Sequence, residues 1–175
     1  MMRIVILASG AGSNAENIIN YFKNSGEISV TQVMSNRKDA KVLEKAERLK
    51  VSNISFNRND FYETDKVLKI LKENADYVIL AGFLWKLPEA IINTFPNKII
   101  NIHPALLPKY GGKGMYGAHV HEAVVKNNEK ESGITIHYVN ENYDEGAIIF
   151  QKRFDVLPND SAEDVAAKIH TLEYE

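Results

Sequence analysis

The clearest absence from this 175-residue sequence is cysteine, of which there is none. Without cysteine the chain has no disulfide framework, no thiolate nucleophile and no cysteine-ligated zinc or iron–sulfur site. A chain of this length buries enough surface to be stable without such cross-links. The lack of cysteine also fits a reducing compartment, so we expect a cytoplasmic protein.

The sequence also lacks an excess of charge and any long hydrophobic run. Its 21 basic and 23 acidic residues give a formal net charge of -2, which creates no general attraction for nucleic acid. The apolar run at residues 4–8 is too short for a secretory signal or a membrane span. We therefore expect small-molecule ligands, no nucleic-acid partner and no membrane. An anionic ligand must be held by a local arrangement of groups.

What the sequence does contain is an alternation of strand and helix patterns over its first hundred residues. Short apolar runs alternate with amphipathic stretches across brief connections, which predicts a parallel sheet with helices on both faces. We predict an α/β fold of this doubly wound, Rossmann-like type, forming a single domain over residues 1–175. The predicted strands are 3–8, 28–34, 53–56, 77–80 and 98–102, and the predicted helices are 15–23, 40–49, 62–73 and 88–94.

The pattern changes after residue 118. A helix predicted at 119–126 is followed by two long strand-like runs, GITIHYVN and AIIFQKRFDV, which the acidic turn ENYDEG joins. Such runs predict an antiparallel, hairpin-like addition to the sheet near the C-terminus. A last helix is predicted to begin at Ala162, with Ser161 as its cap.

A glycine-rich segment, SGAGSN, lies between the first predicted strand and the first helix. Glycines permit close backbone approach, and free amide groups at a helix start attract anions. The segment also fits the dinucleotide pattern G-x-G-x-x-A, but the acidic residue expected after the second strand is missing. We therefore interpret Gly12, Ser13 and Asn14 as the cradle of a phosphate monoester. The alternative is a plain tight turn whose serine and asparagine only cap the helix.

A second polar group ends the fifth predicted strand, in the segment NIHPALLP. Asn101 and His103 point to the same side of an extended chain, since side chains alternate. An amide and an imidazole can stabilise negative charge on an oxygen, and a carboxylate would orient the ring and stabilise its charge. The turn ENYDEG supplies Glu141, Asp144 and Glu145. We choose Asp144, and we expect it to raise the pKa of His103.

Three other histidines are weaker candidates. His119 and His121 are close in sequence but have no convergent carboxylates, so we expect no metal. His137, two residues after Thr135 on a predicted strand, either lines the site or packs behind it.

Five segments, read together and in order, resemble the phosphoribosylglycinamide formyltransferase family, which uses folate in purine synthesis: ILASGAGSN, ILAGFLWKLP, NIHPALLPKYGGKGMYG, SGITIHYVNENYDEGAIIFQ and HTLEYE. The resemblance covers essentially the whole chain, and its most specific parts are NIHPALLPKY and the DEG turn. It implies that the formyl group of the cosubstrate 10-formyltetrahydrofolate is transferred to the amine of phosphoribosylglycinamide. It also implies that no metal is needed and that the protein is a monomer or a homodimer.

The resemblance also implies roles for individual residues. These are Asn101, His103 and Asp144 in catalysis, Gly12, Ser13 and Asn14 at the phosphate, Glu173 at the glycinamide, and Leu84, Trp85, Lys86, Leu87, Asn101 and Arg58 at the folate. There are departures, because many relatives carry an arginine where Asn59 aligns, beside Arg58. The loop GGKGMYGAH is longer than in some relatives, and the family continues beyond Glu175 with a short segment that we expect this chain to lack.

Three other functions use some of the same features. A hydrolase that releases formate from the folate could use the same catalytic group, but it would not need a phosphate cradle. A formyltransferase acting on aminoacyl-tRNA would need a basic surface or an extra domain. A regulatory module that binds a nucleotide would use the glycine loop alone.

Overall fold

The predicted alternation of strands and helices is present in the structure, a computed structural model that describes residues 1–142 and 144–175. The strands are β1 (Met2–Leu7), β2 (Ile28–Ser35), β3 (Ser52–Ser55), β4 (Tyr77–Leu80), β5 (Ile99–His103), β6 (Glu131–Tyr138) and β7 (Ile148–Asp155). The helices are α1 (Ser13–Phe22), α2 (Lys41–Arg48), α3 (Arg58–Tyr62), α4 (Lys66–Asn74), α5 (Glu89–Thr94), α6 (Ala118–Lys126) and α7 (Ala162–Glu173).

The strands form one sheet in the order β3-β2-β1-β4-β5-β6-β7. Strand β1 pairs in parallel with both β2 and β4, and β2 pairs in parallel with β3. Strands β6 and β7 are antiparallel, in a register that places Thr135 opposite Gln151. The predicted α/β fold, with a mostly parallel sheet and an antiparallel addition near the C-terminus, is therefore confirmed.

The packing of the chain divides it into two compact units, residues 1–100 and 101–175. In the first unit, alternate residues of β1 and the apolar faces of α1 and α2 form the core. Its buried members are Ile4, Ile6, Ala8, Ala15, Ile19, Val33, Ala40, Val42, Ala46 and Ala81. On α1 the two buried residues, Ala15 and Ile19, are four positions apart, so they lie on one face of the helix.

In the second unit, α7 packs against both α6 and β6. The buried pairs Val120 and Val124 on α6, and Val165 and Ile169 on α7, repeat at the same spacing of four. Ser161 caps α7 as predicted, because its hydroxyl accepts a hydrogen bond from the backbone N–H of Asp164 at 3.1 Å. The capping box fixes where this helix begins.

One predicted helix, residues 62–73, is wrong in its extent. The chain instead forms α3 and α4, separated by residues 63–65. Helix α3 begins because the side chain of Asn57 accepts from the N–H of Asp60 at 2.8 Å, and the carboxylate of Asp60 accepts in return from the Asn57 N–H. The hydrophobic periodicity used for the prediction belongs to α4 alone.

None of the helices in the described part of the chain is both long enough and apolar enough to cross a membrane.

Candidate active site

The segment that follows β5 is fixed by a buried threonine on β6. The Thr135 hydroxyl donates to the Ala105 carbonyl at 2.7 Å and accepts from the Leu107 N–H at 3.1 Å. The side-chain amide of Gln151 on β7 donates to both the Leu107 carbonyl and the Thr135 hydroxyl, each at 2.9 Å. These bonds anchor the chain after His103 to the antiparallel strands, so the end of β5 has a defined conformation.

The turn between β6 and β7 brings Asp144 to the same place. Asp144 has a positive φ of 53°, in the left-handed region that few residues adopt. Two residues later, a β-carbon on Gly146 would lie only 2.6 Å from the carbonyl carbon of Tyr138, so glycine is required there. The Asp144 Oδ2 atom accepts a hydrogen bond from the Gly112 N–H at 2.9 Å.

Two histidines face the carboxylate of Asp144. His103 Nδ1 lies 3.7 Å from Oδ2, and His137 Nε2 lies 3.6 Å from Oδ1. Both distances exceed a hydrogen bond, so the carboxylate lies close to the two rings without being hydrogen-bonded to either. The distant turn and the end of β5 thus form one cluster, which we call the His–Asp cluster: Asn101, His103, His137 and Asp144.

The position of Asn101 is set by His137. The Asn101 side-chain amide lies 3.1 Å from His137 Nε2, while His137 Nδ1 lies 2.9 Å from the Tyr138 carbonyl oxygen. A carbonyl can only accept, so Nδ1 carries the proton and Nε2 of the neutral ring accepts from the Asn101 amide. One N–H of Asn101 is used in this way, which leaves its second N–H for another acceptor. The sequence allowed His137 either to line the site or to pack behind it. In the structure it packs behind Asn101 and holds the side-chain amide.

The ring of His103 is oriented by a backbone group that the sequence did not indicate. Its Nε2 atom lies 2.7 Å from the Tyr110 carbonyl oxygen, so Nε2 carries a proton and Nδ1 faces Asp144. The expectation that the carboxylate orients the ring is therefore incomplete. Sequence reasoning missed Tyr110 and Gly112 because both contribute backbone atoms, whose direction no side-chain pattern encodes.

Burial lowers the pKa of His103 below its ordinary value, although Asp144 and the Tyr110 carbonyl both act to raise it. Asp144 thus acts in the predicted direction, but the ring is almost completely buried and desolvation outweighs its partners, so the pKa as a whole is lowered and not raised. For Asp144, burial acts to raise the pKa, but His137, His103 and the Gly112 N–H together hold it below its ordinary value. The carboxylate is therefore charged at neutral pH.

The glycine loop lies in the first unit, where Gly12 is the N-cap of α1, with a φ of 71°. A β-carbon on Gly12 would lie 2.8 Å from the Cα atom of Val42, so this residue lets two helices approach. Within the described residues, no side chain caps α1, and the buried Oδ1 of Asn14 has no hydrogen-bond partner. The N-cap position is therefore held by Gly12, which has no side chain, and Ser13 and Asn14 are the first two residues of the helix.

The predicted folate segment adjoins an aromatic cluster in the first unit. Trp85 packs on Phe61 and Tyr62, with ring centroids 5.8 and 5.9 Å apart. The Arg58 guanidinium lies 5.1 Å from the Tyr62 ring centroid and 5.7 Å from that of Trp85. The Tyr62 hydroxyl donates to the Lys86 carbonyl at 2.9 Å, which fixes the backbone of the segment.

The two leucines of this segment differ in exposure. Leu84 is 45% exposed, and its N–H donates to the Ser9 hydroxyl at 2.9 Å. Leu87 is 5% exposed and belongs to the protein interior. Only its backbone could contact a ligand, whereas the side chain of Leu84 is accessible.

Glu173 ends α7, where its Oε2 atom lies 3.0 Å from Nδ1 of His170. In the described part of the chain its hydrogen bond and ion pair are with His170, and neither connects it to the His–Asp cluster. His121 is buried on α6, and its Nδ1 atom has no hydrogen-bond partner among those residues. His119 lies 3.7 Å from Glu122, and no group of three or more metal-ligating side chains occurs in the described ranges.

A mostly parallel α/β sheet with an amide and a buried imidazole at the end of β5, and a carboxylate in the turn between β6 and β7, defines a class of protein suited to acyl-transfer chemistry. Comparison with known families gives the more particular assignment. The formyl transferase family matches residues 2–175. The chain belongs to this family.

Two of its relatives show how far the similarity extends. The chain is 35% identical over 175 residues to phosphoribosylglycinamide formyltransferase, chloroplastic, of Arabidopsis thaliana, covering 95% of this chain and 60% of that protein. It is 34% identical over 179 residues to phosphoribosylglycinamide formyltransferase of Escherichia coli, and the match covers 99% of this chain and 82% of that protein. The chain therefore spans less than two thirds of the plant relative's length.

A solved structure shares the fold. Glycinamide ribonucleotide transformylase 1 from Symbiobacterium toebii superimposes with a TM-score of 0.90 at 31% identity, covering 99% of this chain and 82% of that one.

Proposed function

We propose that this protein transfers a formyl group from 10-formyltetrahydrofolate to the amine of phosphoribosylglycinamide, a step of purine synthesis. The observation that carries the proposal is the approach of Asp144 to 3.7 Å from His103 Nδ1, across 41 positions of sequence. Relatives named phosphoribosylglycinamide formyltransferase support the substrate assignment. A single-chain or homodimeric enzyme in the cytoplasm remains part of the proposal.

The chemistry begins when the unprotonated substrate amine attacks the formyl carbon. A carbon–nitrogen bond forms, and the carbonyl electron pair moves to the oxygen of a tetrahedral intermediate. We assign the second N–H of Asn101 and protonated Nδ1 of His103 as donors to this oxygen. Asp144 stabilises the charge on the ring, and the developing oxyanion adds to that stabilisation.

Collapse of the intermediate breaks the bond between the formyl carbon and the folate nitrogen. His103 gives its Nδ1 proton to the departing nitrogen, and the proton lost by the attacking amine returns to the ring. Because burial lowers the pKa of His103, the charged ring is a stronger acid than histidine in water. No step of this sequence requires a metal.

The glycine loop is the proposed phosphate site, with Gly12, Ser13 and Asn14 as its members. The first N–H groups of a helix have no partners within that helix and favour an anion. The only acid in the first turn, Glu16, is paired with Lys45 at 2.8 Å and with Arg48, so its charge is neutralised. The Oδ1 atom of Asn14 is buried and has no hydrogen-bond partner in the described part of the chain, so the side chain is assigned to the cradle without a contact of its own to the protein through this atom. Glu173 is the proposed contact to the glycinamide.

The folate is assigned to the segment of Leu84, Trp85, Lys86 and Leu87, with Asn101 and Arg58. The exposed Leu84 side chain and the backbone of this segment suit the ring system of the folate. The Arg58 guanidinium, stacked on two aromatic rings, keeps its charge available for an anionic part of the cosubstrate.

The direct test is an assay of formyl transfer from 10-formyltetrahydrofolate to phosphoribosylglycinamide by the purified chain. Two controls are measured in parallel. One is formate release in the absence of the amine, and the other is nucleotide binding. Transfer that depends on the amine supports the proposal. Formate release at the same rate without the amine would identify a hydrolase, and nucleotide binding without either reaction would identify a regulatory module.

A further inference from the structure

Tyr110 takes a backbone conformation that is unusual for its residue type. Its φ is 56°, in the left-handed region, where a residue with a bulky side chain is strained unless its surroundings hold it. In this conformation its carbonyl oxygen lies 2.7 Å from Nε2 of His103. An unfavourable backbone conformation therefore coincides with a short contact to the proposed acid.

The Tyr110 side chain has the contacts that hold this conformation. Its hydroxyl donates to Glu129 Oε1 and accepts from the side-chain amide of Asn127, both at 2.9 Å. These two partners lie just after α6, where backbone N–H groups of Asn127 and Glu129 bond carbonyls of the helix at 3.0 and 3.2 Å. Both hydroxyl contacts are thus made to a segment that the helix end fixes.

The hydrogen bond to Tyr110 determines which nitrogen of His103 is available. The ring carries its proton on Nε2 when neutral, so Nδ1 is the atom that gains and loses a proton near neutral pH. The groups facing the ring are Asp144 at Nδ1, the Tyr110 carbonyl at Nε2 and the nearby His137. A ring that rotated away from Tyr110 could present either nitrogen to the substrate.

We infer that Tyr110 is a positioning residue for His103: its anchored hydroxyl holds the backbone carbonyl against Nε2, which reserves Nδ1 for the reacting group. The inference rests on the proposed function in that it gives His103 the role of acid. It adds a side-chain anchor, formed by Tyr110, Glu129 and Asn127, that acts on the ring without touching the substrate.

The test is Tyr110→Phe, which removes the hydroxyl and keeps the ring and the chain length. We expect kcat for formyl transfer to fall about 10- to 100-fold, with KM within about twofold, because a misplaced group costs rate without weakening binding. In ¹⁵N-histidine NMR spectra, His103 should change from the pure Nε2–H tautomer to a mixture. Its titration midpoint should fall, since the Tyr110 carbonyl raises the pKa of the ring.

Lys109→Met is the matched control. Lys109 pairs with the same Glu129 at 3.1 Å, but the hydrogen-bond partners of the Tyr110 hydroxyl in the described residues are Glu129 and Asn127, not Lys109. We expect its kcat and its His103 spectrum to be unchanged. Glu129→Ala provides a second variant of the anchor if Tyr110→Phe does not fold, and Glu129→Gln, which keeps an acceptor oxygen, should recover part of the loss.

The NMR result decides the inference independently of activity. If Tyr110→Phe or Glu129→Ala lowers thermal stability but leaves the His103 tautomer and midpoint unchanged, the anchor is only structural and the inference is wrong. If the unmodified chain transfers no formyl group, the proposed function fails. The tautomer measurement still shows whether Tyr110 orients the ring.

Discussion

The two compact units of the chain differ most in their proton chemistry. All five histidines lie in residues 101–175, and residues 1–100 contain none. The first unit presents backbone N–H groups, glycines and an aromatic cluster, which bind without changing protonation near neutral pH. The second unit holds the His–Asp cluster, in which the imidazole of His103 can gain and lose a proton. In the proposed function, the phosphate loop and the folate segment of residues 84–87 belong to the first unit, whereas the proton transfers belong to the second.

The largest expected effect is a loss of catalysis from substitutions in the second unit. We expect His103→Ala and Asp144→Asn each to lower kcat by at least about 10² to 10³, the effect of removing one donor to an oxyanion. Steady-state formyl transfer measures the loss, and far-ultraviolet circular dichroism checks that folding is intact. Transfer at the parental rate by His103→Ala would exclude the proposed mechanism.

A smaller effect is expected on stability. Thr135→Val removes the hydroxyl that bonds Ala105 and Leu107, leaving buried backbone groups unpaired. Unfolding in urea should show a loss of about 1–3 kcal/mol. The matched variant in the first unit is Thr31→Val, whose hydroxyl only donates, to the Ile4 and Asn74 carbonyls. If Thr31→Val lowered the free energy of unfolding as much as Thr135→Val or more, the Thr135 hydroxyl would not be the more important of the two for stability.

Binding should respond to the first unit. Asn14→Ala removes the unpartnered amide beside the glycine loop, and we expect the KM for phosphoribosylglycinamide to rise roughly 10-fold, equivalent to about 1.4 kcal/mol. The pH dependence of kcat should not change, since no titrating group is removed. For the same substrate without its phosphate and ribose, the variant should raise KM less. A changed pH profile of kcat with an unchanged KM would contradict the assignment of Asn14 to binding.

The last expected effect is a pH dependence of stability that arises in the second unit. Burial lowers the pKa of both His103 and His121 from 6.5, so the unfolded chain binds their protons more tightly than the folded protein. Their contribution is fully present above about pH 6.5 and is lost as pH falls through the lowered values. The free energy of unfolding should decline on acidification, by at most about 1.4 kcal/mol per pH unit for each histidine.

Urea titrations between pH 7.5 and 5 measure this decline. The carboxylates of Asp144 and Asp76 have lowered pKa values, Asp76 at about 2, so they do not titrate in that window. His121→Leu should reduce the slope and leave formyl transfer unchanged, because His121 is outside the proposed site. A slope that stays the same would mean that other groups cause it.

Local patterns were sufficient for most elements of the fold. The apolar runs gave β1 to β5 within one or two residues, and the serine three positions before Asp164 gave the start of α7. The break between α3 and α4 was missed although Asn57 and Asp60 form a capping box. Such a box is a local signal, and the apolar periodicity of α4 obscured it.

The candidate site divides in the same way. Asn101 and His103 could be selected because strand alternation puts them on one side, and Asp144 could be chosen only among three acids of a turn. The Tyr110 carbonyl, the Gly112 N–H and the contact of His137 with Asn101 could not be predicted. They depend on where distant segments meet, and two of them are backbone groups.

The sequence alone determined the strand and helix order, the glycine loop and the residue types available for chemistry, because these follow from periodicity and side-chain structure over a few neighbours. Only the tertiary structure decided which nitrogen of His103 is available, what fixes Asn101, and that burial outweighs the effect of Asp144 and lowers the pKa of the ring. The reason is that hydrogen-bond direction and desolvation are set by groups far apart in the chain.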